Sequence, residues 1–405
     1  MRLRDRKKIA VKFISLRSLK LWLFFFFFFS ARLQATAQEE NYSLKARKAA
    51  SVCCKLACDS NLSRQEFFKI ILFIETKLPN FIAQKRYYLP QKETGLLCPL
   101  EYDPDTHSTF IHLQVLVGQG AAKKVTKSIL YDVRNPKLVA RLVQKENEQT
   151  SLEAHTLKRL KGSRGVLQLV AQTKHRENGI AYTTFFTHYF FPGSLATVLN
   201  DRSYRFSLKE KMKIAFDILK GLETVERMGI IHRDLKKENY LIEIAQGKKR
   251  GKKSKRRIQV VIADFGHSTS VHNIRGQKPQ LSSLYSAPEG ICFYKLQGSE
   301  YYKTDLFAAG CVLSRLFYEK KPLWQVVQER NKVPEEIRKK RVLEVLETET
   351  CKRRQVLELK ASKGLKMSTK EQLELLILLM VHPDPGKRSN AKSLRKKLES
   401  ILSHS

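Results

Sequence analysis

IIHRDLKKENYLI (Ile230–Ile242) and, further along, VVIADFGHSTS (Val260–Ser270) decide how this chain folds. In the first stretch His232, Arg233, Asp234, Lys236 and Asn239 sit between apolar, strand-like flanks. Burying charge without partners is costly, so these residues are not all core filler. Asp234 and Lys236 suit a carboxylate that accepts a proton beside an ammonium that holds an anion. Asn239 adds a neutral oxygen of the kind that ligates Mg²⁺. In the second stretch an apolar strand delivers Asp264 at its end, followed by Phe265 and the flexible Gly266. Then SAPEG supplies Ala287, Pro288 and Glu289.

Upstream the texture is that of short strands: FIHLQVLV, KVTKSILY and KLVARLV, beginning at Phe110. A helix is expected over Glu148–Leu160, with Leu152, Leu157 and Leu160 on one stripe, and VLQLVAQ and IAYTTFFTHYF follow as strands. Five strands with one inserted helix make a compact antiparallel lobe. Beyond Pro192 the pattern turns helical. Phe206, Ser207 and Glu210 form a staple and capping box before one helix, and Ser368 with Glu371 repeats the device before LELLILLM. The spacing therefore predicts an α+β chain: a small antiparallel β lobe with one helix, then a larger, mainly helical lobe, with a cleft between them. Residues 41–105 read as a helical extension, marked by a capping box at Ser63 and Glu66.

The ordered set H-R-D-L-K-x-x-N, D-F-G and A-P-E resembles the eukaryotic-type serine/threonine protein kinase family. Further matches run from Phe110 to about Leu402. Asp305 and Gly310 in TDLFAAG and Arg388 in HPDPGKRSNAKSL occupy family positions, Arg388 as partner of Glu289. The resemblance implies a two-lobed kinase-like fold over residues 106–405, with the N-lobe at 106–191 and the C-lobe at 192–405. It implies that Asp234 is the catalytic base, that Lys236 neutralises the transferred γ-phosphoryl group, and that Asp264 and Asn239 hold Mg²⁺ or Mn²⁺ on the phosphates of ATP. Glu153 fits the family's helix glutamate, and a protein hydroxyl is the implied acceptor. Lys236, two residues after Asp234, favours serine/threonine over tyrosine specificity. Arg233 would pair with a phosphate on the activation loop, for which Ser268, Thr269, Ser270, Ser282 and Ser283 are candidates.

Two departures stand in the upstream half. VGQGAAKKVTKSI matches the glycine-rich loop at Gly118, Gly120 and Val125, but Lys123 replaces its third glycine. In PKLVARLVQKE, aligning Val139 and Ala140 with the family's V-A-x-K puts Leu142 where a lysine belongs. Strand alternation then turns Ala140 and Leu142 toward the nucleotide and Val139, Arg141 and Val143 away. The family's "without-lysine" members supply the missing cation from the third-glycine position, which is Lys123 here. Three arrangements are open: Lys123 as surrogate, Arg141 as substitute after a one-residue slip, or no functional cation. The last favours a pseudokinase, a scaffold or nucleotide-binding regulatory module. Retained Asp234, Asn239 and Asp264 favour an active enzyme.

Composition adds an excess of 76 Lys and Arg over 39 Asp and Glu, a formal charge of +37. Such a surface favours anionic partners. Its peak, Lys248–Arg257, lies between Asp234 and Asp264 and is expected at the tip of a β-hairpin. It is read as a solvated loop or as a contact for anionic membrane or nucleic acid. The seven cysteines, with Cys53, Cys54 and Cys58 clustered, show no zinc spacing and read as free thiols of a reducing compartment. Residues 1–37 resemble a signal-like or membrane-attaching leader: a basic stretch, LWLFFFFFFSA, then Ala35-Thr36-Ala37. Secretion or membrane attachment follows if that leader is genuine; otherwise the chain is expected in an ATP-containing cytosol.

Overall fold

A computed structural model describes residues 44–119, 123–246, 256–274, 285, 287–289, 296, 298, 300–318 and 334–404. The leader, Gly120, most of the basic run, Ser282 and Ser283 lie outside the described residues. The described residues form two compact units, one up to Val115 together with Ile129–Leu138, the other Leu116–Ser128 together with those from Val139 onward.

In the first unit, α1 (44–56) is followed by α2 (Arg64–Thr76), which Ser63 and Glu66 cap reciprocally. The short α3 (Leu78–Ala83) and α4 (Gln91–Thr94) flank β1 (Tyr88–Leu89). Strand β2 (Leu100–Asp103) pairs antiparallel with β1 and with the start of β3 (Ser108–Gln119). Ala49, Cys53, Phe67, Ile70 and Ile71 from α1 and α2 are buried with Leu89, Leu100, Ile111 and Ile129 in one apolar cluster. The extension is thus not helical throughout. Strands of two and four residues are too short to show a period of two. The turn between β2 and β3 spans residues 104–107.

The second unit carries the start of β4 (Lys123–Tyr131), then β5 (Lys137–Lys145) from Val139 onward. Helix α5 (Glu148–Arg159) follows, N-capped by Asn147, whose side chain accepts the N–H of Thr150. Strands β6 (Leu169–Glu177) and β7 (Ile180–His188) complete an antiparallel β5-β7-β6 set, in register Ala140↔Thr187 and Leu142↔Phe185. The five expected strands and inserted helix are therefore all present.

A helical part follows. Strand β8 (Pro192–Ser194) leads into α6 (Leu195–Asn200), and α7 (Leu208–Arg227) begins at the Ser207–Glu210 capping box. Gly221 lets α7 approach closely: a Cβ there would lie 2.5 Å from Gly165 O. Strand β9 (Ile230–Ile231) precedes the hairpin of β10 (Tyr240–Gln246) and β11 (Arg256–Ile262), and it pairs with β12 (Thr269–Ser270). Helices α8 (Glu300–Phe317), α9 (Glu335–Val345), α10 (Cys351–Ser362), α11 (Thr369–Met380) and α12 (Ala391–Ser403) complete the described chain. Leu219 and Leu222 of α7, Val312 of α8, Leu376 of α11 and Leu398 of α12 share one core with Ile262 and Phe265. Burial of such apolar surface, about 25 cal/mol per Å², holds β10–β11 and its flanking loops in place. Among the described residues no helix is long and apolar enough to cross a membrane.

Candidate active site

The hairpin β10–β11 positions the polar loops at its ends. Its ladder pairs Tyr240 with Ile262, so Asn239 and Ala263 come together, and Ala263 N donates to Asn239 O at 2.8 Å. Asp264 then turns the chain with φ 65° and ψ 70°. Arg233 has φ 67°, so both polar loops contain a non-glycine residue in the left-handed region. Such conformations persist where the surroundings over-determine them. Asp305, wholly buried on α8, accepts the backbone N–H groups of His232 (2.6 Å) and Arg233 (2.9 Å). Burial pushes the Asp305 carboxyl up, against the pull of His232 and those hydrogen bonds. His232 Nε2 donates to Ala263 O at 3.0 Å, and the ring tilts against Phe265 at 5.0 Å between centroids. The two loops are thereby fastened to one another.

Within this frame Lys236 Nζ lies 2.7 Å from Asp234 Oδ2. Asn239 Nδ2 donates to Asp234 O (2.7 Å) and Asp234 Oδ2 (3.0 Å). That orientation leaves the Asn239 amide oxygen as an acceptor. With the Asp264 carboxylate it offers the hard oxygen donors that suit Mg²⁺ or Mn²⁺. Among the described residues no group of three or more His, Cys, Asp and Glu could itself hold a metal ion. The fit is to a cation that takes its other ligands from phosphate and water.

Lys123 Nζ reaches from β4 to Glu153 Oε1 (2.8 Å), Glu153 Oε2 (2.7 Å) and Asp264 Oδ1 (2.5 Å). Burial opposes charge on Lys123, but Glu153 and Asp264 outweigh it and hold the ammonium above its ordinary value. Burial also pushes the Asp264 carboxyl up, and Lys123 overcomes this to hold it below the usual carboxylate range. Gly266 borders the cluster: a Cβ there would meet Asp264 Oδ1, Glu153 Oε2 and Lys123 Nζ at ordinary contact distances.

Leu142 packs against the core cluster that contains Leu157 and Phe265. Two residues on and therefore on the same face, Gln144 Nε2 donates to Glu153 Oε2 at 3.0 Å. That places Ala140, Leu142 and Gln144 toward α5 and Arg141 on the other face of the strand. Of the glycine-rich loop, Gly118 and Val125 are partly exposed residues of β3 and β4.

Some expectations need correction. Ser268 is fully buried, with its Oγ 3.0 Å from Thr156 Oγ1 and donating to Phe265 O at 2.7 Å, and Thr269 is also buried. Neither hydroxyl is presented for phosphorylation, because both belong to the packed turn that follows Asp264. Ser270 caps the turn Val271–Asn273. Arg233 Nε donates to His267 O at 2.7 Å. At the end of the basic run, Arg256 is engaged in a two-pronged ion pair with Glu210 (2.8 and 2.9 Å) and donates to Arg205 O. It fastens β11 to the start of α7, a structural use that the charge pattern alone did not distinguish from a contact with an external anion. The sequence reading had no signal for Gln144 or Thr156. Arg388 and Glu289 do pair, through Nη2 and Oε2 at 2.8 Å.

The protein kinase domain model matches residues 111–398. A mitogen-activated protein kinase kinase kinase of Pyricularia oryzae is 31% identical over 144 residues, covering 34% of this chain and 8% of the relative. The MAPK/MAK/MRK overlapping kinase of Homo sapiens is 31% identical over 140 residues, covering 34% and 29%. A serine/threonine/tyrosine-protein kinase of Arabidopsis thaliana is 30% identical over 132 residues, covering 32% and 30%. The chain thus spans less than a third of the length of these curated relatives. With the hairpin-borne loops, the buried Asp305 anchor and a match from residue 111 to residue 398, the chain belongs to the protein kinase domain family.

Proposed function

We propose that the protein is an active serine/threonine kinase that transfers the γ-phosphoryl group of ATP to a protein hydroxyl. The observation that carries this reading is a pair of side-chain groups, Lys123 with Glu153 and Asp264, and Asp234 with Lys236 and Asn239, joined where Ala263, next to Asp264, donates its N–H to Asn239 O. Asp234 accepts the proton of the attacking hydroxyl, and Asn239 holds its carboxylate in place. Lys236 sets a positive charge beside that carboxylate, where the transferred group gains negative charge. Lys123, kept charged by its two carboxylates, holds phosphate oxygens in place of a β5 lysine. Glu153 keeps that ammonium from swinging into solvent. Asp264 and Asn239 would hold Mg²⁺ or Mn²⁺, which when bound would neutralise phosphate charge. Gly118, Val125 and Ala140 border the nucleotide.

The kinase domain is assigned to residues 106–405, behind the extension 41–105, and works where ATP and reduced thiols are present. Transfer of label from [γ-³²P]ATP by the full chain tests the reading, with Asp264→Asn as control. Label well above that control supports an enzyme. Label no higher, with either metal, overturns it in favour of a nucleotide-binding regulatory module.

A further inference from the structure

Glu153 is a buried carboxylate served by two donors from different strands. Lys123 of β4 supplies the charge, and Gln144 of β5 supplies a neutral N–H. Both end on Oε2, so the amide fixes the oxygen that the ammonium also uses. Only 6% of Gln144 and 3% of Glu153 is exposed, which makes each a packed partner of the other. A glutamate's terminal torsion is broad and nearly two-fold when nothing holds it. Without the amide, the carboxylate would turn with the ammonium, and the ammonium with whatever it meets.

The choice of side chain matters. A lysine or arginine at 144 would compete with Lys123 for the carboxylate, and a glutamate would face it with a like charge. A glutamine orients Glu153 and leaves its full charge to Lys123. On this strand Leu142 fills the core, and the polar contact to α5 has moved one pleat further along.

We propose that Gln144 is a positioning residue of the nucleotide site: it clamps Glu153 so that the surrogate cation Lys123 is held where phosphate is bound. This rests on the reading of Lys123 given above. Gln144 touches no reacting atom and acts through Glu153 alone.

The test is a double-mutant cycle read by equilibrium binding of radiolabelled ATP with Mg²⁺, which does not require phosphoryl transfer. Gln144→Met keeps length and removes the donor, and Lys123→Met removes the charge. The expected result is about tenfold weaker ATP binding for Gln144→Met, the size of effect that one lost hydrogen bond to a charged group produces, and no further loss when Lys123 is already Met. Gln144→Glu, tested alongside, is expected to weaken binding by at least as much. Unchanged affinity in Gln144→Met and Gln144→Glu, with Lys123→Met weakened, overturns the role of Gln144 while keeping that of Lys123. Equal losses in both backgrounds also overturn it, because the effect would then be structural. If none of the variants weakens binding, the reading of Lys123 falls and the proposal with it.

Discussion

Thr156 and Ser268, both buried, share a hydrogen bond between their hydroxyls, 3.0 Å from oxygen to oxygen. It joins the middle of α5, three residues beyond Glu153, to the turn that follows Asp264. Ser268 Oγ also donates to Phe265 O, which leaves its lone pairs for Thr156 to use as donor. The helix that carries Glu153 and the turn after Asp264, both partners of Lys123, are thus linked to one another.

Removing either hydroxyl should loosen that link. Thr156→Val keeps the shape and is expected to cost about 1 kcal/mol of stability, the usual net worth of a buried hydrogen bond. Urea unfolding of Thr156→Val, Ser268→Ala and the double variant measures the coupling. The single costs should overlap by about 0.5 kcal/mol or more; strictly additive costs would mean that the hydroxyls do not support one another.

Tyr240 gives a prediction of the opposite sign. Its ring is fully buried in the main core, and its hydroxyl has no hydrogen-bond partner among the described residues. Burial drives the phenol well above its ordinary pKa, so it stays neutral. An unsatisfied buried hydroxyl costs about 1–3 kcal/mol, and Tyr240→Phe relieves that cost at the loss of little contact. The variant should be as stable as the parent or more so, by about 1 kcal/mol, in the same urea experiment. A clear destabilisation would show that the hydroxyl has a partner, such as an ordered water.

The His382 imidazole predicts a pH dependence. Its Nδ1 accepts the N–H of Asp384 at 2.9 Å, and its carbonyl accepts Arg388 Nε at 2.7 Å. Burial, and then the charges of Arg354 and Arg388, push its pKa down to about 4. A histidine depressed in the fold takes up protons more readily when unfolded. Its contribution to stability is therefore complete above the unfolded value, about 6.5, and is lost as pH falls toward 4. The melting temperature should drop between about pH 7 and pH 4.5 by more in the parent than in His382→Asn, whose amide oxygen accepts the same N–H but does not titrate. Parallel melting curves would contradict this.

The sequence was most legible where chemistry and order coincide. The polar residues Asp234, Lys236 and Asn239 stand out between apolar flanks, and Asp264 ends a strand. The three capping boxes were also readable, because each rests on residue types at fixed spacing, whereas the pairing of Arg388 with Glu289 was legible only through the resemblance to the kinase family. Aligning Val139 and Ala140 with the family's V-A-x-K, in a register that strand alternation supports, made Leu142 the uncharged residue turned toward the nucleotide, and the resemblance to "without-lysine" members drew attention to Lys123. What remained hidden needed three dimensions. Gln144 sits near the end of a strand, where a glutamine reads as solvent-facing, and only the position of α5 makes it a buried donor to Glu153. Thr156 and Ser268 are 112 residues apart, and no spacing rule connects them. The strands β1 and β2 are too short to show alternation, so residues 41–105 read as helical.

The central claim is that Lys123 supplies the cation that β5 lacks. The most direct measurement compares ATP-dependent transfer of label by the parent chain, Lys123→Met and Arg141→Met under identical conditions. Loss of the ammonium should lower the rate about 10²-fold or more, because phosphate would no longer be held in line. Arg141→Met, altered on the opposite face of β5, should stay within a few-fold of the parent. Unchanged transfer by Lys123→Met, or a collapse confined to Arg141→Met, would contradict the account.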